Sequence, residues 1–571
     1  MRLGLFLLLL LSVLLALSFK STVIPSYPQD YFRSPVLQQM YLSGTFGELR
    51  PNHFHSGIDI KGKVGQTLVS VADGYVARIK IGANGYGKVL YIRHPNGYTS
   101  VYAHMHKFAP AIEAYVKQQQ YDRENFEIEL FPRANQFVFK KGEKIGEMGL
   151  TGRSFGPHLH FEIRATATEK PINPLLFGLY VADKRPPRMH QIKLYHLNDK
   201  RETVGEKIVD LIPKGAGYGV RGDTIMIPAW RTGFALKVYD HMDGVSNWNG
   251  IYQLSMFEND IPMYDFKMES FSFSETRYLN AHLDYPEQKN NKAYFNRCYA
   301  LPGNELSIYE KASANGVIEL SSRRATKITM LASDANDNQT TLTFWVKRAE
   351  VRAPESPIYN YFLPYAEENL IENQSLRVYM PKGTLYENLY LQYQSSPDPS
   401  HNVYSSVHHL HHSDVPVHKY YELSIRPSSL PAEWRDKAYI ARCDKDNEVI
   451  NCGGKWDGDK LKTRVRSLGD FSIMVDDVPP TITPIDFSTN MKGYNKMSFK
   501  IKDDLDTAGK ARGLRYEGRI DGKWVLFEYD GKKDLLTHRF NKNLSSGKHQ
   551  LRLVVTDDRN NSRILERSFV R

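Results

Sequence analysis

Alternation of apolar and polar residues with a period of two dominates the first third of the chain. Between residues 66 and 102 it marks four strands, over 68–71, 75–81, 89–92 and 98–102. The dipeptides Asp73-Gly74, Asn84-Gly85 and Asn96-Gly97 separate them. Gly and Asn tolerate the positive φ of tight hairpin turns, so two-residue hairpins and an antiparallel sheet are predicted. Pro110 opens the one clear helical pattern here. Ile112, Tyr115 and Val116 share one face, Glu113, Lys117 and Gln118 the other, and the helix should run to about Tyr121. Strands resume at 126–130 and 137–139, Lys140-Lys141-Gly142-Glu143-Lys144 turns into a strand at 145–148, and another comes at 158–164.

Proline pairs divide the rest. Asp183-Lys184-Arg185-Pro186-Pro187 and Asp476-Asp477-Val478-Pro479-Pro480 have the same form and can continue neither a central strand nor a helix. The segments after these two boundaries are also alike. Val238-Tyr239-Asp240, Gly250-Ile251-Tyr252 and Asp334-Ala335-Asn336-Asp337-Asn338 come after the first; Ile501-Lys502-Asp503, Gly513-Leu514-Arg515-Tyr516 and Asp557-Asp558-Arg559-Asn560-Asn561 come after the second. The two segments read as copies of one immunoglobulin-like sandwich, the first with an insertion around 280–316. A third strand-rich segment begins at Ala353-Pro354-Glu355-Ser356-Pro357 and reads as a sandwich of another type. The fold class is therefore mostly β: an N-terminal antiparallel sheet domain with a helical insertion at 20–185, then about three β-sandwich modules at 186–350, 351–475 and 476–571.

Composition adds location and partner class. The apolar 41% and charged 24% of the 571 residues are ordinary for globular protein. The formal net charge of +11 favours an acidic partner. It is spread along the chain without a basic tail or block, which argues against nucleic acid. The apolar run at 3–18 follows Arg2 and ends near Ala16-Leu17-Ser18, the form of a signal peptide over 1–19; left uncleaved, it would be the one means of membrane attachment. Either way the body is exported. Three cysteines exclude a disulfide scaffold: Cys443 and Cys452 are close enough to bridge a hairpin, and three buried thiols is the equal alternative. The His408-His409-Leu410-His411-His412 cluster reads as a solvated loop.

Two short stretches carry chemistry: His53-Phe54-His55-Ser56-Gly57-Ile58-Asp59 and Gly156-Pro157-His158-Leu159-His160-Phe161-Glu162. Imidazole nitrogen and carboxylate oxygen are zinc donors, and a catalytic zinc keeps a position open. His158 and His160 are two apart on a strand, so they face one side about 7 Å apart; one can bind metal while the other faces substrate. His55 and Asp59 would lie about 13 Å apart on a straight strand, so a bend at Gly57 is expected, with room for the ion. His53 is a rival ligand. A further histidine ends a predicted strand in Tyr102-Ala103-His104-Met105.

Together with Lys141-Gly142-Glu143-Lys144-Ile145-Gly146 and the run from Thr151 to Glu162, these motifs resemble the lysostaphin/LytM-type zinc endopeptidases, which cut peptidoglycan cross-links. The match covers about 44–178. The resemblance implies one Zn²⁺ held by His55, Asp59 and His160, with His104 and His158 as the catalytic pair beside the metal-bound water. It leaves open which histidine is the base. The connection between His106 and Phe139 is longer than in the compact family pattern and resembles an elaboration of exported Bacteroidetes enzymes. That implies a periplasmic or envelope enzyme, peptidoglycan stem peptides as substrate, and a D,D cross-link to a diamino acid as the bond. Two other readings stand beside the peptidase: a wall-binding regulator that activates a separate hydrolase, and a peptidase whose groove is covered by the insertion or a downstream sandwich.

Overall fold

A computed structural model describes residues 27–351, 357–398, 402–443, 448–540 and 544–571. The expected signal peptide, and most of the proline-rich start of the third module, lie outside the described residues. Among the described residues no helix is long and apolar enough to cross a membrane.

The N-terminal domain is built from β1 (Leu42–Gly44), β2 (Leu49–Arg50), β3 (His53–Phe54), β4 (Ile58–Lys61), β5 (Thr67–Val69), β6 (Gly74–Ile81), β7 (Lys88–Arg93), β8 (Tyr98–Ala103), β9 (Lys107–Phe108), α1 (Pro110–Asp122), β10 (Ile128–Leu130), β11 (Val138–Phe139), β12 (Lys144–Glu147), β13 (His158–Ala165) and β14 (Pro171–Ile172). One antiparallel sheet runs in the order β1, β4, β13, β8, β7, β6, β10, with β11 also on β6 and β14 on β13; a small second sheet is β5, β12, β9. The apolar faces of both sheets and Ile112 and Val116 of α1 enclose one core. The alternating pattern is realised as antiparallel strands, of which β7, β8 and β13 at the centre of the sheet are buried on both faces.

The predicted two-residue hairpins are corrected at two places. Asp73-Gly74 joins β5 and β6, which belong to different sheets, because β5 finds its partner in β12. The turn at Asn84-Gly85 extends from Gly82 to Gly87, with Gly85 and Gly87 both at positive φ. This longer turn is packed against the loop at 150–154, and Arg153 N–H donates to the Gly85 carbonyl at 2.8 Å.

Downstream, paired sheets enclose three further large cores. The second core crosses the expected boundary at 185. Phe46 and Phe54 of the N-terminal domain are buried in it, with ring centroids 5.1 and 5.4 Å from Phe271. The last module folds back: Tyr516, Leu526 and Tyr529 pack on the N-terminal core, and Trp524 meets Tyr121 of α1 edge-on at 5.3 Å. The predicted histidine loop is instead a strand, Val407–Leu410, with His408 buried and its Nδ1 3.0 Å from the Tyr393 hydroxyl. Alternation decides this: His408 and Leu410 face inward while His409 reaches Asp470. In the Cys443 hairpin the register sets Cys443 opposite Val449, not Cys452.

Because Phe54 belongs to the second module's core while the next residue is His55, truncating it should unseat both. Phe54→Ala in the full chain is expected to cost about 3–5 kcal/mol in denaturant unfolding of that module. A loss below about 1 kcal/mol would mean that the seam is loosely packed.

Candidate metal centre and its histidine pair

Strand register brings the site together. His160 on β13 lies directly opposite Asp59 on β4, with Ala103 of β8 on its other side. Opposed residues of an antiparallel pair share a face, so Asp59 and His160 meet without further adjustment. His55 precedes β4 in a bend. Gly57 makes that bend possible, for a reason other than the expected one. A Cβ there would stand 2.3 Å from the Phe161 carbonyl oxygen, so the space is taken by the backbone of β13 and not kept for an ion. The rival His53 points away: it is exposed, and its Nδ1 donates to the Pro51 carbonyl at 2.9 Å.

Each imidazole is fixed through one nitrogen. His55 Nδ1 donates to the Thr45 carbonyl at 2.7 Å, which leaves the Nε2 lone pair for the site. His160 Nε2 donates to Glu162 Oε1 at 2.8 Å, which leaves its Nδ1. His55 Nε2 and His160 Nδ1 are 2.9 Å apart, and each is 3.0 Å from Asp59 Oδ1. Three electron-pair donors, all buried, therefore converge on one point. Their spacing is close to the ~3.3 Å between donors about 2.0–2.1 Å from one tetrahedral zinc. Three lone pairs facing each other repel unless a proton or a cation stands between them, and a set of two imidazoles and one carboxylate at this spacing fits a zinc ion.

The electrostatics agree with this geometry. Burial opposes the charge on Asp59, but the surrounding His55, His158 and His160 outweigh it and hold the carboxyl well below its usual range. Burial likewise opposes protonation of His160, yet Asp59 and Glu162 lift it to about 9. Burial dominates at His55 and pushes it down to about 4. Arg50 on β2 adds a cation, its Nη2 2.6 Å from Asp59 Oδ2.

Two more histidines stand beside the cluster. His104 ends β8 at φ 58°, a left-handed conformation uncommon for a non-glycine residue. Its ring lies 4.7 Å from His158 and 6.0 Å from His160 between centroids. His104 Nδ1 donates to the Thr151 carbonyl at 2.8 Å and His158 Nδ1 to the Gly156 carbonyl at 2.9 Å, so both carry a lone pair on Nε2. Burial, reinforced by His158 and His160, pushes His104 down to about 3 and keeps it neutral. All five candidate residues named from the sequence are thus brought into one place.

Other residues of the site are given no role by the sequence reading. Glu162 is fully buried and accepts from His160, from Ser56 Oγ at 2.7 Å, from the Tyr86 hydroxyl and from Arg164 Nε at 2.5 Å. His158, His160, Glu162 and Arg164 alternate along one face of β13, and that periodicity is the one clue the sequence offered. Thr45 has two roles: its carbonyl holds His55, and its hydroxyl bonds Gly250 of the second module at 3.1–3.3 Å. Lys532 of the last module donates to the Leu150 and Ser154 carbonyls, each at 2.8 Å, bracing the loop whose Thr151 orients His104.

Residues 53–121 and 130–174 match the model of Peptidase family M23, and 360–476 that of a Zu5-like domain. The N-terminal region is an M23 peptidase domain. It is similar to the DD-carboxypeptidase/endopeptidase Mpg of Neisseria meningitidis serogroup B, 34% identical over 125 residues, covering 22% of this chain and 23% of that protein. It is also similar to the murein hydrolase activator NlpD of Escherichia coli, 36% identical over 123 residues, 22% of this chain and 26% of that one. The chain spans about a quarter of the length of these curated relatives. Among solved structures, a zinc-containing peptidase of Vibrio cholerae aligns with 23% identity over 27% of this chain and 41% of its own, at a TM-score of 0.20.

In this M23 domain Glu162 sets which nitrogen of His160 is available. Glu162→Gln should weaken zinc binding about 10–100-fold in a chelator competition. Glu169→Gln, on the exposed partner of Arg164, should leave it unchanged. Equal affinity in both variants would remove Glu162 from the site.

Proposed function

We propose that the chain is an exported zinc metalloendopeptidase that hydrolyses peptide cross-links of peptidoglycan in the periplasm or cell envelope. The observation that carries this is the convergence of His55 Nε2, His160 Nδ1 and Asp59 Oδ1 beside His104 and His158, whose Nδ1 atoms are each held by a backbone carbonyl, leaving Nε2 for the site. Metal held by the three ligands supplies a Lewis acid for the scissile carbonyl and lowers the pKa of water to near neutrality. The chain's own residues do the rest. His104 and His158 stand ring beside ring at 4.7 Å next to the ligands, so one takes a proton from the attacking water. The other, once protonated, donates to the carbonyl oxygen or the leaving amine. Thr151 and Gly156 keep both rings in the tautomer this needs. The +11 net charge suits an acidic wall polymer, and the Mpg likeness supports the substrate class.

We read 186–350 and 476–571 as immunoglobulin-like modules that position the catalytic loops and 351–475 as a different sandwich, none of them catalytic. The likeness to NlpD favours one other reading, a regulator that activates a separate hydrolase.

Incubating purified sacculi with the zinc-loaded chain should release muropeptides cut in their stem peptides, and His160→Ala should release none. Identical profiles from the two would exclude the peptidase and favour the activator. Lys532→Met removes two hydrogen bonds from the loop behind His104 and His158. It should lower kcat on muropeptides about tenfold, the equivalent of about 1.4 kcal/mol, with zinc content unchanged. An unaltered kcat would show that the last module does not brace catalysis.

A further inference from the structure

A second cluster of buried donors lies where the M23 domain meets the second module. Asp183 leaves the N-terminal domain, Asp240 comes directly after the strand Arg231–Tyr239, and Asp334 directly after Thr326–Ser333. One oxygen of each carboxylate lies within 4.8 Å of the other two, and all three residues are buried. Among the described residues none of the three forms an ion pair with lysine or arginine. Arg185, the nearest cation in sequence, offers Asp183 only its backbone N–H, at 3.0 Å, and its guanidinium turns to the Met242 carbonyl. Asp334 is satisfied by Asn336 N–H, Asn338 N–H and Asn338 Nδ2 at 2.7–3.0 Å. Asp183 Oδ2 and Asp240 Oδ1 are buried without any hydrogen-bond partner. Such groups cost roughly 1–3 kcal/mol each, more when charged, unless something satisfies them.

A neutral side chain lies on the same face as Asp240. Asp240 and Asn249 exchange backbone hydrogen bonds in both directions, at 3.0 and 2.9 Å, so they are directly opposed and their side chains share a face. Asn249 is 1% exposed, and neither its Oδ1 nor its Nδ2 has a partner. The internal repeat supplies a contrast. Its equivalent positions, Asp476, Asp503 and Asp557, also crowd together, and Asp476 Oδ2 and Asp557 Oδ2 are likewise unpartnered. There a cation is at hand: Lys437 reaches Asn561 Oδ1, whose amide donates to Asp476. Among the described residues the first copy has no such lysine.

We propose that Asp183, Asp240 and Asp334, with Asn249 Oδ1, hold a calcium ion that pins the second module to the M23 domain. An all-oxygen, multiply anionic donor set suits a hard cation and not zinc. Oxygens bound at 2.3–2.6 Å to one calcium can be up to about 5 Å apart, which accommodates the observed spread. With no cation, burial and mutual repulsion push Asp240 up to about 8. Calcium here also acts at a distance. Gly250, next to Asn249, is bonded to Thr45, whose carbonyl orients His55.

The test uses the full chain stripped of metal, in a His55→Ala background that removes the zinc site. Equilibrium dialysis against calcium chloride with elemental analysis should find one equivalent more in this chain than in the same chain carrying Asp240→Asn. Calcium at 5 mM should raise its Tm by at least about 3 °C, against no change at this transition in the variant. Should Asp240→Asn fail to fold, terbium luminescence excited through Trp248 serves instead. Calcium should displace the signal, and Trp248→Phe should abolish it while calcium is still bound. Equal calcium content in both chains, or a Tm that ignores calcium while Asp240→Asn is as stable or more so, would overturn the proposal and leave a cluster of neutral buried acids. A terbium signal that calcium does not displace would overturn it equally.

Discussion

A fully buried carboxylate, Glu162, holds the N-terminal site in order. Burying an anion is costly, and four donors from different parts of the chain offset that cost: His160 on its own strand, Ser56 in the bend before β4, Tyr86 in the turn before β7, and Arg164. Each contact also does something for the site. The His160 bond turns Nδ1 toward His55 and Asp59, the Ser56 bond fixes the bend that carries His55, and the Tyr86 hydroxyl ties down the turn against which the 150–154 loop packs. Remove the carboxylate and the donors lose their common reference. His160 then has no bond to turn Nδ1 toward His55 and Asp59, which Thr45 and Arg50 still hold.

Much of this was legible in the sequence because it rests on short-range geometry. The period-two pattern marked most of the longer strands of the N-terminal sheet to within a residue or two, the helical spacing after Pro110 marked α1, and the His158/His160 spacing placed both rings on one face. What escaped depended on tertiary context. His53 and His55 have equal claims by spacing; the structure decides between them by exposing His53 and burying His55 against the Thr45 carbonyl. Asp73-Gly74 looks like a hairpin locally, yet the pairing of β5 with β12 sends the chain to another sheet. The His408 cluster looked like a loop because it is polar, yet its strand buries one imidazole, whose Nδ1 meets the Tyr393 hydroxyl.

The largest gap between sequence and structure concerns the modules. Nothing in residues 188–571 has a catalytic motif, but two of the modules reach the chemistry. The second module buries Phe54 beside His55 and holds Thr45 through Gly250; the last places Lys532 under the loop that orients His104 and His158. These contacts join residues more than two hundred positions apart, where no pattern in a single sequence can reveal them. The candidate metal ligands and the histidine pair all lie in the N-terminal domain, and contacts from two different modules brace the segments that orient them.

The most direct test is anomalous diffraction at the zinc absorption edge from crystals of the full chain. A single peak about 2.0–2.2 Å from His55 Nε2, His160 Nδ1 and an Asp59 carboxylate oxygen, with His104 and His158 unligated, is the expected result. A peak ligated by His53, or by His104 or His158 in place of Asp59, would contradict it.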